Sequence, residues 1–211
     1  MNTLIMDTSS SNMLVALNAS DELIIGKKYN TPKHLETLMP AVDELLTKKN
    51  FNVANLDYIG VVVGPGSFTG IRIAVSTAKA MMMVNKHIKA IAVNAMELIF
   101  NSYYKKTNDA SKVAVVVPTT IKKVYLAIFE NGKRVEDDSV VELEHLGEYI
   151  KDAKIVTPAS TLGGEQVSVD EKDLNDYVMD KIRKGEFSEK LSPCYIGLSQ
   201  AEEQLKSKEN K

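Results

Sequence analysis

The chain has 211 residues, and its 44% hydrophobic content is enough to bury a core in one large domain or two small ones. Lysine and arginine number 26 against 28 acidic residues, which excludes a global basic field able to hold nucleic acid unaided. The single cysteine, Cys194, excludes an intrachain disulfide framework, and we expect its side chain to be buried. No apolar stretch reaches the length of a membrane span and no signal-peptide pattern precedes the first strand, so we expect a cytoplasmic protein.

The N-terminal part predicts three short antiparallel strands followed by a helix. The strands cover residues 4–7, 13–17 and 23–29, with turn-forming residues between them. The helix begins near His34, after Thr31 and Pro32, and Pro40 is expected to kink it. Its apolar residues recur on one face at helical spacing: Leu35, Leu38, Met39, Val42, Leu45 and Leu46.

A glycine-rich turn then joins a buried strand at residues 59–63 to a second helix. Gly64, Gly66 and Gly70 permit positive φ and close backbone approach, and Ser67 or Thr69 can cap the helix. Exposed amides at such a turn can bind an anion, which makes Asp7, Gly64, Gly66 and Ser67 weak candidates for a nucleotide site. Because Gly70 is not followed by Lys and Ser or Thr, the loop is no Walker A motif, and a purely structural turn is favoured.

The second helix, over residues 70–84, is apolar almost all round. Its polar residues Arg72, Ser76 and Lys79 form one narrow stripe. A helix of this kind is normally buried on more than one side. Two interpretations remain open: the helix is enclosed by its own domain, or one apolar face, carrying some of the methionines at 81–83, is covered by a partner.

The remainder predicts a strand at 88–93, a helix at 95–104 and a polar boundary at 105–112. The second half adds strands at 113–117, 124–130, 134–142 and 150–158, with a hairpin turn at Asn131-Gly132. A helix follows at 170–184, capped by Asp170 and stopped by Gly185, and a terminal helix is expected at 199–208. The first half thus reads as βββαβαβα.

No set of side chains assembles into a catalytic group on sequence grounds. His34, His87 and His145 are too far apart for a helical metal pair, and each is expected to be solvated or to cap a helix. Asp7 precedes a run of hydroxyl residues that could hold a metal-phosphate, but an Asx turn closing a hairpin is favoured. The neighbouring acids Asp43 and Glu44 indicate surface charge.

Four segments together resemble the TsaB (YeaZ) family: residues 6–17, 34–46, 64–81 with the sequence GPGSFTGIRIAVSTAKAM, and 193–205 with PCYIGLSQAEEQL. The resemblance implies an actin-like ASKHA (ribonuclease H-like) α/β fold of two βββαβα-type subdomains. These would span residues 1–105 and 106–211, the second being reduced. Segments 118–123 and 157–160 depart from the family pattern, so any site that they serve in relatives would be altered here.

The resemblance also implies a function. Family members are non-catalytic partners of TsaD, which carries the metal-binding histidine pair that is missing here. With TsaE, they support transfer of a threonylcarbamoyl group to N6 of the adenosine beside the tRNA anticodon. The resemblance implies no cofactor or metal of the chain's own, ATP used by the complex, and contact with tRNA only through that complex.

Helices 34–49 and 70–85 would pair with TsaD, or with a second copy of the chain when it is alone. Eight residues are carried over as interface or core positions, without a division between the two: Leu35, Leu38, Met39, Ile71, Ala74, Val75, Ala78 and Met82. The alternative function is a small actin-fold phosphotransferase or hydrolase that uses Asp7 and the Gly64 loop on a nucleotide.

Overall fold

The computed structural model describes residues 1–20, 22–120, 122–188 and 190–197, and they form two β-sheets with five α-helices. The first half contains β1 (Asn2–Asp7), β2 (Asn12–Ala19), β3 (Glu22–Asn30), α1 (His34–Lys48), β4 (Tyr58–Gly64), α2 (Phe68–Val84), β5 (Lys89–Asn94) and α3 (Ala95–Thr107). The second half contains β6 (Val113–Pro118), β7 (Lys123–Glu130), β8 (Lys133–Arg134), β9 (Ser139–Glu142), α4 (Leu146–Ile150), β10 (Lys154–Thr157), β11 (Glu165–Gln166) and α5 (Glu171–Arg183).

The first sheet has the strand order β3-β2-β1-β4-β5. The β1–β2 and β2–β3 pairs are antiparallel, as the short links predict, whereas β1–β4 and β4–β5 are parallel because a helix crosses over between them. Alternate residues of each strand face opposite sides, so that Leu4 and Met6 of β1 enter one core and Ile5 the other. Helices on both faces keep this sheet away from water.

The two cores of the first sheet are completed by different pairs of helices. One face packs against α1 and α2, through residues such as Leu38, Leu45, Ile71 and Ala78. The other packs against α3 and α5, although α5 belongs to the second half of the sequence. At Gly60 the approach is so close that a Cβ would lie 2.9 Å from the Val178 methyl groups of α5. Since α1 and α2 have the sheet on one side only, their opposite side forms an outer surface.

The second sheet has the order β11-β10-β6-β7-β8, with β9 also paired to β7. Its one face packs on α3 through Met96, Phe100 and Tyr103, and its other face on the short helix α4. The turn between β7 and β8 has φ values of 51° at Asn131 and 74° at Gly132, as the Asn-Gly pair predicts. The predicted actin-like α/β fold class is therefore confirmed, with α3 lying between the two sheets.

Several local expectations were wrong. The strand predicted at 134–142 is divided into β8 and β9, because Asp138 turns away from the sheet to bind Arg134 and the Asn94 amide. The strand predicted at 150–158 begins only at Lys154, since the residues before it form α4 and a turn. Helix α1 continues through Pro40, so the proline does not end it, and the expected kink stays a prediction. The carbonyl that loses its donor there belongs to the exposed Glu36, where water can bind it.

Cys194 is exposed, not buried as expected, because it lies on an extended segment that runs over the end of β4. The predicted terminal helix at 199–208 lies outside the described residues. Within the part of the chain that the structure describes, no helix combines the length and apolarity needed to cross a membrane.

Candidate partner-binding face and glycine loop

The glycine-rich loop between β4 and α2 packs directly on the loop between β1 and β2. The Thr8 hydroxyl donates to the carbonyl oxygen of Gly70 at 2.6 Å, and the Ser67 N–H donates to the carbonyl oxygen of Ser9 at 2.7 Å. The Ser67 hydroxyl accepts from the Gly70 N–H at 3.2 Å, which makes Ser67 the cap of α2, one of the two residues expected. These bonds occupy the N–H groups of Ser67 and Gly70, which could otherwise donate to a bound anion.

Each glycine of the loop is required by close backbone packing. A Cβ at Gly70 would overlap the Thr8 carbonyl oxygen, and one at Gly66 would overlap that of Ser9. Gly64, with φ of +127°, lies against the carbonyl oxygen of Cys194. The three glycines of this loop therefore serve close backbone packing in a tight turn.

Asp7 lies at the end of β1 and is almost fully buried. Its carboxylate accepts a 2.8 Å hydrogen bond from the Ser9 N–H, which is the Asx turn that the sequence favours. Burial raises the pKa of Asp7. The hydrogen bonds from Ser9, and the charge of the nearby His34, offset part of this rise. Across the described residues, no three His, Cys, Asp or Glu side chains are placed to hold a metal ion.

His34, the first residue of α1, contradicts the expectation of a solvated or capping histidine. Its side chain is buried, and its Nε2 lies 2.7 Å from the carbonyl oxygen of Ser10. Because that oxygen only accepts, Nε2 carries the proton and donates it. The β1–β2 loop is thus bonded to α1 through Ser10 and to α2 through Thr8 and Ser9. His87 and His145 are exposed.

Apolar side chains remain uncovered on the outer side of α1 and α2. Leu35 is 76% exposed and Met39, one turn later, is 50% exposed. Leu35 and Ile73 line one groove of about 310 Å³ between the first turns of the two helices. On α2, Thr77, Ala80 and Val84 lie four, seven and eleven positions after Ile73, on the same side of the helix, and are half-buried or exposed. We call the α1/α2 outer face the set Leu35, Met39, Ile73, Thr77, Ala80 and Val84.

The structure divides the eight residues carried over from the family resemblance. Five are buried in the core between the two helices and the sheet: Leu38, Ile71, Ala74, Val75 and Ala78. Met82 is half-buried against that core, whereas Leu35 and Met39 are open. Four residues of the outer face were missed: Ile73, Thr77, Ala80 and Val84. Their helical spacing could have indicated them, since it places them on the side of α2 beside the exposed polar stripe of Arg72, Ser76 and Lys79.

The comparisons with known proteins agree on a family. The model described as "TsaD: tRNA N6-adenosine threonylcarbamoyltransferase" matches residues 28–159, more than half of the chain. Proteins named tRNA threonylcarbamoyladenosine biosynthesis protein TsaB are similar to it. That of Escherichia coli K12 is 22% identical over 80% of this chain and 71% of its own length. That of Buchnera aphidicola (Acyrthosiphon pisum) is 30% identical, and that of Bacillus subtilis 168 is 35% identical. These two matches cover 48% and 47% of this chain but only 45% and 43% of the relatives' own lengths.

A solved structure supports the fold independently. YeaZ from Pseudomonas aeruginosa superposes with a TM-score of 0.74 over 92% of this chain and 99% of its own, at 21% identity. A second Pseudomonas aeruginosa protein, described as similar to peptidase YeaZ, gives 0.75 over 93% and 99%, also at 21% identity. The chain therefore belongs to the family of the TsaD model, and within that family to the TsaB (YeaZ) group.

Proposed function

We propose that this chain is a non-catalytic accessory subunit of the complex that transfers a threonylcarbamoyl group to N6 of the adenosine beside the anticodon of tRNAs. It acts by forming a heterodimer with TsaD and works with TsaE in the cytoplasm. ATP is consumed by the complex, and tRNA is contacted through it. When TsaD is absent, two copies of the chain pair through the same surface.

The observation that carries this proposal is the α1/α2 outer face. Leu35 and Val84 are 76% and 80% exposed, at opposite ends of a surface whose helices are otherwise well packed on the sheet. Exposed apolar side chains that recur along two neighbouring helices, with charged residues such as Lys33, Glu36 and Lys79 around them, are typical of a protein-binding surface. The TsaD model also matches this part of the chain, which supports a related subunit as the partner.

The geometry of the glycine loop favours this role over the phosphotransferase alternative. Carbonyl oxygens of Thr8, Ser9 and Cys194 surround the three glycines. The Asp7 carboxylate is buried and is bonded to its own turn. An ATP-hydrolysing site needs donors and a metal-binding carboxylate that face the phosphates. Here the Ser67 and Gly70 amides and the Asp7 carboxylate are hydrogen-bonded within the chain.

Reconstitution of the reaction tests the proposal. The purified chain is combined with TsaD, TsaE, tRNA, ATP and an enzyme that makes threonylcarbamoyl-adenylate, and modified adenosine is measured by mass spectrometry of nucleosides. We expect modification only when the chain is present, and a mass in size-exclusion chromatography that corresponds to a one-to-one complex with TsaD. The proposal is overturned if modification is equally fast without the chain. It is also overturned if the isolated chain turns over ATP and Asp7→Ala abolishes that turnover.

A further inference from the structure

Residues 190–197 form an extended segment that crosses from the first sheet to the second. Just before it, Ser188 pairs with Ala90 at the edge of β5, its N–H donating to the Ala90 carbonyl oxygen at 2.8 Å. Leu191 is then buried in the core beneath α1 and α2. The Cys194 N–H donates to the carbonyl oxygen of Val63 at 2.8 Å. The segment is therefore attached to the first half of the fold at Leu191 and Cys194, and the residue Ser188 before it is paired with β5.

Tyr195 binds the first turn of α2. Its ring stacks on that of Phe68 with centroids 4.5 Å apart, and its hydroxyl accepts a 2.6 Å hydrogen bond from Nε of Arg72. The Arg72 guanidinium also lies 3.8 Å from the centre of the Phe68 ring. One side chain of the segment thus contacts two residues of α2 that are one helical turn apart.

Gly197 brings the segment to the second sheet. A Cβ at this glycine would lie 3.1 Å from a methyl group of Val140 in β9, and its φ of +80° is one that other residues rarely adopt. Val140 is paired with Tyr125 of β7, the strand beside β6 in the second sheet. The segment therefore passes the carboxyl end of β4 and reaches from the first sheet to the second.

In open α/β sheets ligands bind outside the carboxyl ends of the strands, and a ligand bound there can hold two parts of a fold together. We propose that residues 190–197 are an internal strap that takes the place of such a ligand. The strap holds the first turn of α2 on the sheet and ties the two sheets together through contacts of the chain itself. This inference concerns the chain alone and does not depend on the proposed partner.

Hydrogen exchange on the isolated chain tests the strap, with Tyr195→Ala, Tyr195→Phe and the wild type compared. The matched control is Tyr149→Ala, which removes a similarly exposed tyrosine of α4. In Tyr195→Ala we expect about tenfold faster exchange of the Gly70 and Ile71 amides and of β9, because one ring stack and one hydrogen bond are lost. Tyr195→Phe keeps the stack and should give a smaller increase at the same amides.

Two results would overturn the strap. In the first, faster exchange in Tyr195→Ala is confined to residues 190–197, which would make the segment a passive covering. In the second, Tyr149→Ala accelerates α2 and β9 as much as Tyr195→Ala does, which would indicate general destabilisation. Should Tyr195→Ala fail to fold, the Tyr195→Phe variant decides alone, since an unchanged α2 first turn after loss of the Arg72 hydrogen bond contradicts the proposal.

Discussion

Leu35 of α1 and Ile73 of α2 line the same groove, between the first turns of two helices that share one core beneath them. The β1–β2 loop fixes both turns, because it is bonded to His34 on one side and to Ser67 and Gly70 on the other. The spacing of the two side chains is therefore set by the fold of the chain itself. A partner would meet a preformed surface, which lowers the ordering cost of association.

Leu35 and Leu38 offer a matched pair of substitutions on one helix. Leu38 is 1% exposed, so Leu38→Ala should lower the free energy of unfolding by about 2–5 kcal/mol. Leu35→Ala should change it by less than about 0.5 kcal/mol, because its side chain is already in water. Urea unfolding of the two variants measures the difference.

Binding to TsaD should show the opposite order. Leu35→Glu places a charge on the outer face, and we expect at least a tenfold weaker affinity in calorimetry, since a buried unpaired charge costs several kcal/mol. Ala78 is unsuitable for this test, because a charge there would enter the core of the chain and disturb folding. If Leu35→Glu folds and binds TsaD as tightly as the wild type, the partner surface lies elsewhere.

Gly70 should be intolerant of any side chain. A Cβ there would overlap the Thr8 carbonyl oxygen, which is backbone and cannot rotate away, so Gly70→Ala should cost about 1–3 kcal/mol or more. Gly147 in α4 is the control, because nothing lies within 4 Å of its added Cβ. Gly147→Ala should leave stability unchanged or raise it by about 0.5–1 kcal/mol. Thermal unfolding distinguishes the two, and equal effects would contradict the packing explanation.

Asp7 should reduce stability at neutral pH. Burial raises the pKa of its carboxyl above the ordinary 3.8, so the folded state binds a proton that the unfolded state has released. Stability therefore falls as the pH rises from about 3.8 through the raised pKa, and is constant above it. Asp7→Asn keeps an oxygen for the Ser9 N–H without the charge. We expect this variant to be at least as stable as the wild type at pH 7.

The difference between Asp7→Asn and the wild type should shrink as the pH falls toward 3.8, which urea unfolding at several pH values can follow. Every other carboxyl is common to both proteins, so the comparison isolates Asp7. A variant that is clearly less stable at pH 7 would mean that the ionised carboxylate is favoured by its surroundings.

The sequence predicted those features that depend on neighbouring residues. Ser67 caps α2, Asp170 caps α5, and Asn131 with Gly132 forms the hairpin turn, because each depends on backbone geometry within a few positions. The antiparallel pairing of β1, β2 and β3 followed from the short links between them. Local patterns were sufficient for these elements.

Features that depend on distant contacts were not predictable in the same way. Helix α2 is apolar nearly all round, so periodicity alone could not say that Ala78 faces the sheet and Ala80 faces outward. Cys194 is exposed, and the segment that carries it is held by a hydrogen bond from the Cys194 N–H to the carbonyl oxygen of Val63, far away in sequence. The separation of β8 from β9 accompanies a hydrogen bond from the Asn94 amide to the Asp138 carboxylate, a distant contact that no local pattern indicates.

Tyr177 of α5 should become destabilising in alkali. Its hydroxyl donates to Glu97 of α3, which also contacts Arg134 at 3.3 Å, and the tyrosine is buried where α3, α5 and the β7–β8 hairpin meet. Burial, with the Glu97 carboxylate beside it, raises the pKa of Tyr177 well above the ordinary 10. Above about pH 10 the unfolded state releases the phenolic proton and the folded state retains it, so stability falls as the pH rises.

Tyr177→Phe removes this proton and the hydrogen bond together. At pH 7 the variant should be less stable than the wild type by about 1–3 kcal/mol, the usual range for a hydrogen bond to a charged group. Between pH 10 and 11 this difference in the free energy of unfolding should become smaller. Only the wild type loses stability there, because its folded state keeps the Tyr177 proton that the unfolded state releases. Urea unfolding at both pH values measures the gap. The other tyrosines are present in both proteins, so a gap that stays constant with pH would show that Tyr177 titrates normally.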